Sequence, residues 1–226
     1  MVMTLVDKTV DETINKHNWD FYRDNYLAGR YSFSDLIELN NRWRESIPEQ
    51  VFFHYNWIKD FLLKIKIENP VVVELGCWEG NLAEAIFKDT DLKMNNWCGY
   101  DICSLAVAKG NERNKNKRYC AYPLVCQLWK TNIAEFDIFI SCHTVEHLSR
   151  NEFLELLDWL KNSSCTYAYF EVPIPEKGKV WRNGGSAHVL NNFGRRHFRR
   201  YLEQDGWHKM VEFETRGLDW AIGVGR

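Results

Sequence analysis

The chain has 226 residues, of which 45% are hydrophobic and 27% are charged. This is enough apolar material for one hydrophobic core of ordinary size, and it excludes a disordered chain. The 29 Lys and Arg residues nearly balance the 31 Asp and Glu residues, for a formal net charge of -2. No overall field would therefore hold the protein on a nucleic acid or an anionic membrane.

The cysteines and the first residues of the sequence predict the cellular compartment of the protein. The seven cysteines are odd in number and include no CxxC pair, so we expect free thiols rather than a disulfide framework or a Cys-rich zinc site. The chain starts with acidic residues where a signal peptide is basic, and it has no run of ~18 apolar residues. We expect a soluble, cytoplasmic protein that does not enter a membrane.

Residues 1–69 have a helical pattern. Apolar residues recur at helical spacing from Leu36 to Ile47 and again from Phe53 to Ile65, and Pro70 follows the second set. These apolar faces are too few to close a core of their own. We therefore predict that residues 1–69 are a helical extension that covers the functional site, and that residues 70–226 form the main domain.

From residue 70 onward, strand and helix patterns alternate. Apolar runs predict strands at 71–75, 97–101, 122–126, 136–142, 166–172, 209–214 and 219–224, and helices at 82–88, 105–112, 152–161 and 195–203. Buried strands separated by helices are typical of an α/β protein with a parallel sheet covered on both faces. The last two strands have only a short link, so we expect them to pair antiparallel. The polar segment 109–118 is predicted to be a loop.

A glycine turn and an acidic residue follow the first two strands. The turn ELGCWEG runs from Glu74 to Gly80, and such a turn brings the main chain against a ligand at the carboxyl end of the sheet. The dinucleotide fingerprint GxGxxG fits poorly, because its later glycines would fall on Trp78 and Asn81. The second strand ends at Asp101, whose carboxylate can accept hydrogen bonds from both hydroxyls of a ribose.

Together these elements resemble the class I S-adenosylmethionine (SAM)-dependent methyltransferases. ELGCWEG is similar to the family's first motif, D/E-x-G-x-G-x-G, GYDIC to its ribose-binding acid, and FDIFISCHTVEHL to its fourth motif. The resemblance implies a Rossmann-like sheet of seven strands in the order 3-2-1-4-5-7-6, with the last strand antiparallel. It also implies SAM as the cofactor and a cofactor site formed by Glu74, Gly76, Cys77, Trp78, Gly80, Asp101, Ile102 and Cys142. Trp78 departs from the motif's middle glycine, so the loop either opens outward or uses the indole as a wall of the pocket.

Candidate catalytic residues follow the fourth and fifth strands. Methyl transfer requires alignment of the acceptor and, for a hydroxyl acceptor, removal of its proton. Because imidazole titrates near the working pH, we expect His143 or His188 to be the base. Glu171, at the end of the fifth strand, is expected to orient a loop.

A metal site is the alternative for this region. If the segment is helical, His143, Glu146 and His147 share one face, and His188 could complete a set of ligands. The spacing is similar to the E-x-x-E-H motif and distant His of the small-RNA 2′-O-methyltransferases, and three His with one Glu favour Zn, Fe or Mn over Mg. We favour the interpretation without a metal, in which Glu146 and His147 only shape the loop.

The function that we predict is SAM-dependent O-methylation of a small-molecule, sugar or glycan-intermediate acceptor. The basic run at Arg195, Arg196, Arg199 and Arg200 is either a solvated helix face or a site for an anionic acceptor. One alternative is a metal-dependent RNA-end 2′-O-methyltransferase. The other is a non-catalytic partner subunit with the same fold.

Overall fold

The computed structural model describes residues 51–89, 96–113, 118–121, 135–148, 150–173, 182–183, 186–187, 195–214 and 219–226. The helix predicted within residues 36–47, the strand predicted at 122–126 and the candidate base His188 lie outside these ranges. The side chain of His147 also lies outside the described part of the chain.

Helices and strands alternate along the described residues. The helices are α1 (Val51–Lys64), α2 (Asn81–Asp89), α3 (Ser104–Arg113), α4 (Arg150–Asn162) and α5 (Arg195–Gln204), with a 3-10 helix at Val145–His147. The strands are β1 (Val71–Leu75), β2 (Asn96–Asp101), β3 (Arg118–Ala121), β4 (Ile138–Cys142), β5 (Tyr167–Pro173), β6 (Arg182–Asn183), β7 (Ser186–Ala187), β8 (His208–Glu214) and β9 (Asp219–Gly225). None of the helices in the described ranges is long and apolar enough to cross a membrane.

Seven of the strands in the described ranges form one sheet, in the order β3-β2-β1-β4-β5-β9-β8. The pairs from β3 to β5 are parallel, whereas β9 runs antiparallel to both β5 and β8. The last strand of the chain is thus inserted between the fifth strand and its own hairpin partner. The predicted α/β fold, with the order 3-2-1-4-5-7-6 and a reversed last strand, is confirmed.

The sheet has a hydrophobic core on each face. In the central strand β1, Val72 and Val73 are fully buried but belong to different cores, because successive side chains of a strand point to opposite faces. Helices α4 and α5 cover one face through residues such as Phe153 and Phe198. Helices α1 and α2 cover the other face. The near-continuous apolar strands of the sequence are explained by this double burial.

Helix α1 packs on the part of the sheet formed by β5, β8 and β9. The ring of Phe61 is fully buried, with its centroid 5.4 Å from that of Tyr169. A Cβ atom on Gly223 would overlap the Phe61 ring, so the close approach of helix and sheet requires glycine there. Trp57 stacks on Phe213 at 5.3 Å. Helix α1 is therefore docked on this part of the sheet.

Strand β3 lies directly before the strand predicted at 122–126, and those residues are outside the described ranges. Strand β3 pairs in parallel with β2 from Arg118 to Ala121, whereas the sequence predicted a strand at 122–126 and a polar loop at 109–118. The first residues of that predicted loop are the last turn of α3. Strand β3 has only four residues and directly follows a polar segment, so its apolar run was too short to indicate a strand.

Candidate active site

The glycine loop between β1 and α2 has three residues in the left-handed region of backbone space. The φ angles are +82° at Gly76, +51° at Trp78 and +78° at Gly80. The N–H groups of Gly76 and Cys77 both donate to the carbonyl of Tyr100, at 2.7 and 3.1 Å, and Gly80 donates to Cys77 at 2.7 Å. These three N–H groups already donate to carbonyls of the protein. A ligand at this loop would therefore contact the backbone atoms by close packing rather than through these three donors.

Gly76 joins the cofactor loop to the segment that follows β4. A Cβ atom at this position would overlap the side chain of Thr144, and the positive φ also favours glycine. Thr144 is the residue after His143. The loop that resembles the cofactor motif and the segment that carries the candidate base are therefore in direct contact.

The carboxylate of Asp101 closes the other side of the loop. Its Oδ2 accepts the N–H of Trp78 at 2.9 Å, and its Oδ1 accepts the N–H of Cys103 at 2.8 Å. Burial raises the pKa of Asp101 to about 6, although the backbone hydrogen bonds oppose that shift. Each carboxylate oxygen has two lone pairs, so this acid can still accept the hydroxyls of a ribose.

Trp78 has a strained backbone. A left-handed conformation costs an L-residue with a Cβ atom roughly 1–2 kcal/mol, and for a bulky side chain it is an outlier. The residue as a whole is partly exposed, but its indole Nε1 atom is buried. Strain of this kind persists only where the surrounding structure holds it.

A buried ion-pair cluster holds the loop beside Trp78. Glu79 is fully buried, and its carboxylate lies 3.0 Å from Lys109 Nζ and 2.9 Å from Arg113 Nη1. Arg113 also donates to the carbonyl of Glu79 at 2.8 Å and to Glu84 at 2.8 Å. The sequence did not single out Glu79. The sequence did contain one indication of such a cluster. Lys109 and Arg113 are four positions apart, which places them on one face of a helix.

Glu74, the first residue of the motif, is also held from the neighbouring strand. Its Oε2 accepts the indole N–H of Trp97 at 2.7 Å, and both side chains are buried. The pairing of β1 with β2 places Glu74 opposite Gly99, two residues after Trp97, so both side chains lie on the same face. The bond fixes the position of the Glu74 carboxylate near the carboxyl end of β1.

His143 is held by Glu171 at the carboxyl ends of β4 and β5. Its backbone N–H donates to the Glu171 carbonyl at 2.9 Å, and its Nε2 lies 3.1 Å from Glu171 Oε1. The hydroxyl of Tyr169 donates to Glu171 Oε2 at 2.8 Å. Tyr169 and Glu171 share a face because they are two residues apart on one strand. The chain of hydrogen bonds runs from a buried tyrosine to an imidazole that is 43% exposed.

The strand register explains this chain of hydrogen bonds. Cys142 pairs with Glu171 between β4 and β5. His143 is the next residue, so its backbone lies directly beside Glu171. The φ angle of His143 is +49°, which ends the strand and turns the chain. We expected Glu171 to orient a loop; the structure shows its contact with His143, which no pattern in the sequence indicates.

His143 does not share a helical turn with Glu146 and His147. The 3-10 helix begins at Val145, so His143 precedes it, and Glu146 Oε1 lies 3.7 Å from His143 Nδ1. Within the described ranges, no group of three or more His, Cys, Asp or Glu is arranged to hold a metal ion.

Cys142 and Ile102 lie at the same edge of the sheet. Burial raises the pKa of the Cys142 thiol well above its usual range, and the charges of Glu171, Glu74 and Glu146 add to that shift. This thiol therefore stays protonated at neutral pH. Ile102 directly follows Asp101 and packs against the core that contains Phe153 and Phe198.

Free thiols are confirmed for Cys77, Cys98, Cys103, Cys142 and Cys165.

The basic helix α5 is partly used inside the protein. Arg195 forms an ion pair with Glu214, and Arg199 forms one with Glu212, both on β8. The pairing with Arg195 lowers the pKa of Glu214. Arg196 and Arg200 are exposed. The run is thus neither a wholly solvated face nor a row of four arginines directed at an acceptor.

Comparison with known proteins shows the fold. No protein-family model matches the chain, and no curated protein matches it. Among solved structures, the methyltransferase domain of bacterial CtHen1-CN aligns with a TM-score of 0.60 at 14% identity, over 76% of this chain and 97% of that one. The chain has the fold of the class I SAM-dependent methyltransferases.

Two further solved structures have the same fold. Magnesium protoporphyrin IX methyltransferase (ChlM) from Synechocystis PCC 6803 with bound SAM aligns with a TM-score of 0.58 at 16% identity, over the full length of both chains. The 16S rRNA methylase ArmA aligns with a TM-score of 0.55 at 14% identity, over 92% of this chain and 97% of that one.

Proposed function

We propose that the protein is a SAM-dependent methyltransferase that methylates an oxygen of a small-molecule, sugar or glycan-intermediate acceptor. The observation that carries the proposal is the contact between two loops at the carboxyl edge of the sheet. The loop that resembles the SAM motif touches Thr144 through Gly76, and the adjacent His143 is oriented by a buried glutamate. A cofactor loop and a candidate base thus adjoin.

The residues present fit SAM. Asp101 lies at the end of β2 with lone pairs for the ribose hydroxyls, and Gly76, Cys77 and Gly80 form a close backbone surface. Glu74 and Cys142 lie at the same edge. When bound, SAM supplies a methyl group on a sulfonium. The structure of ChlM, a protein of the same fold, holds SAM.

His143 would take the acceptor's proton. When Nε2 carries the hydrogen and donates it to Glu171, Nδ1 has a lone pair. That lone pair would accept the acceptor's proton. The buried carboxylate of Glu171 would then stabilise the imidazolium, as Glu146 would from 3.7 Å. His188 remains the second candidate for the base.

We propose that residues 1–69 cover the pocket, as the sequence predicted, with α1 as the part docked on the sheet. The apolar contacts of Phe61 and Trp57 support the docking. A chain that begins at residue 69 should lose affinity for the cofactor in calorimetry. Unchanged affinity in a folded truncated chain would contradict a covering role.

The acceptor class has two candidates. The neighbours in fold are named for a porphyrin and for 16S rRNA, so the fold does not select one class. We place a small or glycan acceptor first, because Arg195 and Arg199 are paired with glutamates and are not available as a phosphate-binding row. An RNA end with a metal at His143, Glu146, His147 and His188 is the alternative.

The experiment is methyl transfer from labelled SAM to nucleotide sugars, phenolic acids and short RNAs. His143→Ala should lower turnover by roughly 10²–10⁴ with unchanged cofactor affinity, as expected for loss of a general base. His208→Ala, an exposed histidine on β8, is the matched control and should retain full activity. Loss of activity with a chelator, together with one equivalent of Zn, Fe or Mn in the protein, would favour the metal alternative. A protein that binds no SAM would refute the proposal.

A further inference from the structure

Helix α1 reaches the chain of hydrogen bonds that orients His143. The ring of Phe61 is fully buried, and its centroid lies 5.4 Å from the ring centroid of Tyr169. The hydroxyl of Tyr169 donates to Glu171 Oε2 at 2.8 Å, and Glu171 Oε1 lies 3.1 Å from His143 Nε2. One continuous set of contacts therefore leads from the helix to the candidate base.

The strand register makes room for α1 beside Tyr169. Tyr169 pairs with Ile140 on β4 and with Gly223 on β9. Ile140 has a buried side chain on its side of Tyr169, whereas Gly223 has none. A Cβ atom on Gly223 would overlap the ring of Phe61, so this ring takes the place of the absent side chain. The side chain that packs beside Tyr169 over β9 therefore comes from α1.

The hydroxyl of Tyr169 is a donor whose position depends on its ring. Burial raises the pKa of Tyr169 well above its usual range, and the charge of Glu171 adds to that shift, so the hydroxyl keeps its hydrogen at neutral pH. A tyrosine side chain rotates about two bonds, so the place of the ring determines the place of the hydroxyl oxygen. The bond of 2.8 Å to Glu171 tolerates little displacement, because O–H···O bonds span only about 2.5–3.0 Å.

We propose that Phe61 is a positioning residue for methyl transfer, and that it sets the orientation of the His143 imidazole through Tyr169 and Glu171. This inference rests on the proposed function, in which His143 takes the acceptor's proton, and it gives α1 a role beyond covering the pocket. A general base must lie within hydrogen-bond reach of the proton that it removes, and a small misplacement of a catalytic group is costly. Phe61 would act on the reaction through two intervening side chains.

The test compares Phe61→Leu with a matched aromatic variant of the same helix. Trp57 lies four positions before Phe61 and so on the same face of α1, but it stacks on Phe213 of the edge strand β8. Trp57→Leu therefore removes a different aromatic contact between the helix and the sheet. Both variants should unfold at a lower temperature than the wild type, so loss of stability alone does not distinguish them.

The first readout needs no substrate. Nitrogen NMR of isotopically labelled histidine reports which ring nitrogen carries the hydrogen, and the signals of His143 are those that disappear in His143→Ala. In the wild type they should differ from the signals of the exposed His208. Phe61→Leu and Tyr169→Phe should move them towards those of His208, whereas Trp57→Leu should leave them in place. Unmoved signals in Phe61→Leu, or equal movement in Trp57→Leu, would overturn the inference.

The second readout is the turnover of an acceptor found with labelled SAM. Phe61→Leu should lower kcat by roughly three- to tenfold, with KM and the affinity for S-adenosylhomocysteine unchanged. Because Phe61 acts through the tyrosine hydroxyl, the same change should cause no further loss of kcat in Tyr169→Phe.

Two kinetic results would overturn the inference while the proposed function stands. They are a wild-type kcat in Phe61→Leu and a loss in the double variant equal to the product of the two single losses. A wild-type protein that binds no S-adenosylhomocysteine would instead refute the proposed function, and the role of Phe61 in catalysis with it. The NMR comparison would still decide whether Phe61 orients His143.

Discussion

Gly76 and Thr144 approach each other so closely that no Cβ atom fits between them. One residue belongs to the loop after β1, and the other directly follows the candidate base at the end of β4. A side chain at position 76 would therefore displace Thr144. This contact places the proposed cofactor site beside the proposed site of proton removal.

Replacement of Gly76 by alanine should be much more destabilising than the same change at another glycine with positive φ. Gly206 has a φ of +83°, and no atom lies within 4 Å of the place that a Cβ atom would take there. Gly206→Ala therefore has only the backbone cost of about 1–2 kcal/mol. Gly76→Ala adds the overlap with Thr144, which typically costs roughly another 1–3 kcal/mol. Urea unfolding of both variants measures the difference. Equal losses would show that the loops yield without cost.

Asp101 should make the stability of the ligand-free protein depend on pH. Burial raises its pKa from 3.8 to about 6, so the folded protein holds a proton that the unfolded chain has lost between these values. The stability from this group is complete below pH 3.8 and is lost as the pH rises through about 6. The loss is on the order of 3 kcal/mol at most. The free energy of unfolding, measured from about pH 4 to 8, should show this fall in the wild type but not in Asp101→Asn.

The same proton should compete with the cofactor. A neutral carboxyl group accepts the ribose hydroxyls less well than a carboxylate. The affinity for S-adenosylhomocysteine should therefore weaken by up to about tenfold for each pH unit below about 6. Calorimetry at several pH values would measure the slope, and Asp101→Asn should remove it along with most of the affinity. A wild-type slope that persists in this variant would assign the effect to another group.

Tyr169→Phe should separate the orientation of His143 from its chemistry. The change removes the hydroxyl that donates to Glu171 Oε2 at 2.8 Å and leaves a buried carboxylate oxygen without that donor. We expect a stability loss of about 1–3 kcal/mol and a fall in turnover smaller than that of His143→Ala. Wild-type kinetics at every pH would exclude a role for the tyrosine.

The ion pairs of Glu79 should stabilise the protein more than a surface pair does. Arg113→Met removes two donors from a fully buried glutamate, and we expect it to cost about 2–4 kcal/mol. The control is Lys161→Met, because the pair of Lys161 with Asp205 is largely exposed and such pairs are worth ~0–1 kcal/mol. Thermal unfolding compares the two. Equal costs would mean that Glu79 does not depend on Arg113.

The sequence by itself determined the sheet and the edge at which the site lies. Buried apolar runs separated by helices define a parallel sheet, and a chain that ends in a hairpin defines the reversed last strand. Residues such as Asp101 and His143, which follow strands, then lie at one carboxyl edge. These features depend on local periodicity, which a single sequence carries. Strand β3 was not predicted at 118–121 because four residues carry too short a pattern.

Only the tertiary structure decided which residues meet. Glu79 and Arg113 are 34 positions apart, and His143 and Glu171 are 28 apart. Their contacts depend on strand register and on where each helix packs, which local pattern does not encode. The backbone strain at Trp78 was equally hidden, because the left-handed turn is imposed by Asp101 and by the neighbours of the loop. Residue types therefore indicated the candidate chemistry, whereas long-range packing selected the partners that orient each group.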